Sequence, residues 1–125
     1  MNGQMGYTGS PGVDTNPGYR RYYKGSDLTC PTPANAFVFL DESPASLQDG
    51  YFQLRLFTPG FSDVPAAYLE GGCGFSFADG HGEIHRWQTA NLAIPVVRGL
   101  TLSSVDASGL NVDWIWLRQR SACLP

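Results

Sequence analysis

Apolar and polar residues sort most cleanly on either side of Asp79-Gly80, and residues 74–87 read as a β-hairpin. Asp-Gly favours a two-residue type I′ turn, because both central residues of that turn need positive φ and this pair supplies it at low steric cost. With Ala78 and His81 flanking the turn, Phe77 pairs with Gly82, Ser76 with Glu83, Phe75 with Ile84 and Gly74 with His85. That register places Phe75, Phe77 and Ile84 on one face and Ser76, His81, Glu83 and His85 on the other.

The pattern elsewhere is shorter in range. Residues 36–40 form a continuous apolar strand that ends at Asp41-Glu42-Ser43-Pro44, since proline cannot continue a ladder. Turn chemistry over 46–50 leads to a second strand over 50–57, with Phe52, Leu54 and Leu56 inward and Gln53 and Arg55 outward. A loop with Pro59 and Pro65 covers 58–72, and 91–103 is irregular or an edge strand. Residues 111–120 carry an N-cap candidate, Asn111, an acid in the first turn, Asp113, and basic residues in the last, Arg118 and Arg120. This order complements the helix macrodipole and predicts a short helix, although the aromatic and β-branched content also suits a strand.

Residues 1–34 show neither periodicity and are rich in Gly, Pro, Tyr and Asn, as in a long ordered loop or a loosely attached arm. There Tyr7, Tyr19, Tyr22 and Tyr23 interleave with Arg20, Arg21 and Lys24. A sugar- or nucleic-acid-binding surface is one reading; aromatics anchoring the loop to the sheet is the simpler one. The expected fold is α+β: one small domain over 1–125, mostly antiparallel sheet with hairpins, a long N-terminal loop and a short C-terminal helix.

Composition narrows the function classes. The chain has 125 residues, abundant glycine and aromatics and few charges, which suits a loop-rich globular domain. Its apolar runs are far shorter than the ~20 residues of a membrane-spanning helix. The opening Met1-Asn2-Gly3-Gln4-Met5-Gly6 has neither the basic nor the apolar segment of a secretory signal. A net charge of −3 argues against non-specific nucleic-acid binding, which needs a basic face. Three cysteines lack any metal-ligand spacing and leave at least one unpaired; an oxidising compartment would allow a bridge between Cys30 and Cys123, but sequence alone does not show that any of the three cysteines pair. Cys73 sits in Gly-Gly-Cys-Gly with no base beside it in sequence, as a nucleophile would need.

Two groups of residues carry candidate chemistry. His81, Glu83 and His85 alternate along one strand face, and imidazoles with a carboxylate are ligands that zinc and other transition metals take, with Asp79 beside the turn as a further donor. Such a site would suit a small metal-dependent hydrolase or redox protein. At ~3.3 Å per residue the two His Cα atoms lie roughly 13 Å apart, so one ion reaches an adjacent pair and not all three; the bland reading is a solvated outer face. Asp41, Glu42 and Asp49 put three carboxylates into one strand-to-strand connection, an oxygen set for calcium, although the spacing is not that of an EF-hand. Here the bland reading is a solvated turn capped by Asp and Ser.

Residues 1–6, Phe37-Val38-Phe39-Leu40-Asp41-Glu42 with Asp49-Gly50, the stretch 75–87, and Asp113-Trp114 through Gln119-Arg120-Ser121 together resemble the C-terminal globular part of bacterial prepilin-type proteins. The signature of that family is a His, nine residues, then Asp-Gly, and it is similar to the pseudopilins of type II secretion. The signature's His position is occupied by Leu69. The resemblance implies a non-catalytic structural or interaction domain, protein partners in an envelope or pilus-like assembly, and a location in the cell envelope, periplasm or outside the cell. Family members begin with a cleavable leader and a long apolar anchor helix, so the resemblance implies that this chain is a fragment or truncated form. Some major pseudopilins bind calcium in a C-terminal loop, which gives Asp41, Glu42 and Asp49 added interest.

Overall fold

The computed structural model describes residues 1–6, 16–89, 92, 105–106 and 112–125. Tyr7, the Asn111 cap and all of 91–103 except Leu92 lie outside the described residues. Strands β1 (Phe37–Leu40), β3 (Gly72–Phe77) and β4 (Gly82–Arg86) form an antiparallel sheet in the order β1-β3-β4. A second, two-stranded antiparallel sheet joins β2 (Gly60–Phe61) to β5 (Val105–Asp106), and the helix α1 (Val112–Ser121) ends the fold. The architecture is a small α+β fold.

The hairpin is present, but its register differs by one residue from the expected one. Phe75 pairs with Glu83, Cys73 with His85 and Gly74 with Ile84. The connection is three residues long, because Phe77 N–H donates to His81 C=O and Gly80 N–H to Phe77 C=O. Only Gly80 takes positive φ, +95°, whereas a type I′ turn would need Asp79 there as well. One residue of slip exchanges the faces of a whole strand. Ile84 therefore points away from the core and is 59% exposed, while His85 sits on the side of Phe75 and Phe77.

Residues 50–57 are not a strand, yet the inward set is the expected one: Phe52, Leu54 and Leu56 are buried. Side chains and single bridges take the place of a neighbouring strand. Asn16 accepts from Leu56 N–H and donates to Leu54 C=O, Asp63 accepts from Gln53 N–H, and Phe52 and Leu54 make isolated bridges to Asn2 and Phe61. The backbone is satisfied residue by residue rather than by a ladder.

The described parts of the N-terminal region form an ordered loop. Buried Asn2 donates its amide to Phe37 C=O and Ser121 C=O, tying β1 to the end of α1. Tyr19 and Tyr22 are buried anchors, as the simpler reading of the aromatics expects, and Tyr23 is exposed. Cys30 is bonded to Cys123, which closes the C-terminus onto this loop. The core gathers Phe37, Phe52, Phe61, Leu56 and Leu117, with Phe75 edge-on to Phe37 and Trp116 at 5.7 and 5.1 Å. Helix α1 meets this core with Trp114, Leu117 and Ser121, one face at helical spacing. Asp113 opens it and Arg118 and Arg120 lie in its last turn, as the macrodipole favours.

Candidate functional site

The slipped register carries His81, Glu83 and His85 onto the core side of β4, and each finds a separate environment. His81 lies flat on Phe77, with ring centroids 4.4 Å apart, and its Nδ1 is 2.6 Å from Asp79 Oδ1. The same oxygen accepts His81 N–H. These bonds, the backbone one first, hold the Asp79 carboxyl below the usual range. Glu83 is exposed and faces the charge of Arg120, whose guanidinium lies 4.1 Å from the Trp116 ring centre. Burial lowers the Arg120 pKa, and Glu83 opposes that shift.

His85 is the structured member of the set. Its side chain is only 14% exposed, its ring stacks on Trp116 at 3.8 Å, and Trp87 and Phe75 stand edge-on to it. Its Nε2 lies 3.3 Å from Asp113 Oδ1. Asp113 is fully buried and also accepts from Gln88 N–H and Thr89 N–H, at 3.0 and 2.7 Å to Oδ2. The first turn of α1 is thus clamped to the end of β4. The acid that sequence assigned to the macrodipole is a buried hub for two backbone donors and an imidazole.

A carboxylate behind an imidazole is how proteins orient metal-binding histidines. Here the two pairs, His81 with Asp79 and His85 with Asp113, lie at opposite ends of a five-residue strand. Among the described residues, no three His, Cys, Asp or Glu side chains converge as metal ligands.

The acidic connection divides differently from its sequence order. Asp41 turns towards the sheet: a Cβ on Gly74 would meet its Oδ2 at 3.0 Å, and its carbonyl accepts from Ala66 N–H and the Cys73 thiol. Glu42 turns the other way and accepts from Ser46 Oγ at 3.0 Å. Burial, and then the negative charges of Asp63 and Asp49, push the Glu42 carboxyl up to about 7, against the Ser46 bond. Asp49 accepts from Tyr51 N–H. Asp63, absent from the sequence reading, completes the group; burial raises its pKa although Gln53 N–H and Gln48 Nε2 donate to it. Its only sequence signal is a carboxylate beside Ser62 and two residues before Pro65.

Cys73 is buried, and burial pushes its thiol up to about 12, which favours the protonated form at neutral pH. Among the described residues, no helix is long and apolar enough to cross a membrane. Comparison of the chain with protein-family models, curated proteins and solved structures gives no match in any of the three.

Proposed function

We propose that this chain is a non-catalytic structural and interaction domain of the cell envelope, similar to the globular part of a type II secretion pseudopilin. The observation that carries the reading is the Asp113 hub. Asp113 spends its carboxylate on Gln88 N–H, Thr89 N–H and His85, which joins α1 to the hairpin rather than presenting a reactive group. The Cys30–Cys123 bond supports the location, since disulfides persist in oxidising compartments and are rare in reducing ones. Partners in this reading are other proteins.

The test is the thiol state of the protein in the producing cell. Lysates quenched in acid and labelled with a maleimide-polymer under denaturing conditions should show one added label, from Cys73, and three only after reduction. Three labels without reduction would place the protein in a reducing compartment and remove the envelope reading.

A further inference from the structure

The two outer edges of the three-stranded sheet are treated differently. The edge of β1 is covered by the N-terminal segment: Asn2 N–H donates to Val38 C=O at 2.8 Å and its side chain to Phe37 C=O at 3.0 Å. No described residue covers the edge of β4. In an antiparallel pair, alternate residues direct both backbone groups at the partner. On this hairpin the inward residues are His81, Glu83, His85 and Trp87, as the bonds Phe77 N–H to His81 C=O and Trp87 N–H to Gly71 C=O establish. The N–H and C=O groups of Gly82, Ile84 and Arg86 therefore face outward in an exposed row, and no described residue pairs with them. Such an edge is a template for another strand.

We infer that this edge pairs with the same edge of a second copy, joining two three-stranded sheets into one of six strands about a two-fold axis at Ile84. The choice of a second copy rests on complementarity. An antiparallel partner centred on Ile84 sets Gly82 against Arg86 of the other copy, Ile84 against Ile84 and Arg86 against Gly82, so all three outward residues are bonded and the contact is isologous. On one face the exposed Ile84 side chains meet, apolar against apolar. On the other, Glu83 lies opposite His85, whose ring Asp113 and Trp116 already hold, so no like charges face each other.

The neighbouring registers are poorer. Centring on Glu83 puts two carboxylates directly opposite each other, which destabilises a pair. Centring on His85 requires Gln88 N–H, which Asp113 already holds.

Light scattering on the oxidised protein, over a wide concentration range, reads the result. The mass should rise from monomer to dimer with concentration. Ile84→Lys, which sets two ammonium groups face to face, should stay monomeric with an unchanged melting curve, because Ile84 touches little in the monomer. Phe39→Lys, at an exposed position of β1 across the same sheet, should leave dimerisation as it is. Amide exchange gives a check without mutation: protection of Ile84 and Arg86 should grow with protein concentration. A wild-type monomer at every concentration, dimerisation of Ile84→Lys as of the wild type, loss of the dimer in Phe39→Lys alone, or exchange at Ile84 independent of concentration would each overturn the inference.

Discussion

Asp113 and Glu42 are both carboxylates drawn away from water, and the chain surrounds them in opposite ways. Asp113 receives backbone N–H donors from Gln88 and Thr89 and an imidazole from His85. Glu42 receives one serine hydroxyl and shares its surroundings with the charges of Asp63 and Asp49. Burial alone therefore does not describe the setting of an acid; Asp113 is met by donors, whereas Glu42 is met by one donor and two like charges. The first centre braces the fold, whereas the second resists ionisation at neutral pH.

Removing the brace should have the largest effect. Asp113→Ala leaves the N–H groups of Gln88 and Thr89 without their acceptor and detaches α1 from β4, and a loss of about 2–4 kcal/mol is expected in urea unfolding. The two histidines sharpen the contrast. His85→Ala loses the Trp116 stack and part of the Asp113 hub, for about 1–2 kcal/mol. His81→Ala, exposed at the turn, should stay within about 0.5 kcal/mol of wild type. Equal losses in the two variants would mean that the hub does not depend on its imidazole.

The Glu42 centre should respond to pH with the sign of a raised acid. The folded carboxyl titrates at about 7 against 4.5 in the unfolded chain, so between these values the folded state holds the extra proton. The contribution is favourable below about 4.5 and is lost as pH rises towards 7. Glu42→Gln should flatten the stability profile between pH 4.5 and 7 and gain about 1 kcal/mol at pH 8, after allowance for solvent screening. A profile in the variant as steep as that of the wild type would assign the titration to another group.

The hairpin, the inward trio Phe52, Leu54 and Leu56 and the C-terminal helix were legible in the sequence because local pattern specifies them. Register was not. Asp-Gly signals a two-residue turn, and Ile84 as the aliphatic residue of β4 argues for the core; the fold instead keeps Asp79 at negative φ and fills that side with the flat His85 ring on Trp116. A two-residue and a three-residue connection differ by little in local chemistry, and the contacts that accompany the observed register, from α1 to His85 and from residues 66–71 to Arg86 and Trp87, are distant in sequence. The same holds for both carboxylate centres. Asp113 meets Gln88 and Glu42 meets Asp63 across separations that periodicity does not span. The strand expected over 50–57 was replaced because Asn16 and Asp63 supply bonds that no spacing rule anticipates.

We propose that His85 ties α1 to β4 through Asp113 and that His81, Glu83 and His85 do not together ligate a metal ion. Elemental analysis of purified protein, loaded with excess zinc and then dialysed, tests it most directly, with His81→Ala and His85→Ala treated alongside. Far less than one equivalent of zinc is expected in all three proteins. One equivalent retained by the wild type and lost in both variants would contradict the claim and restore His81, Glu83 and His85 as a ligand set.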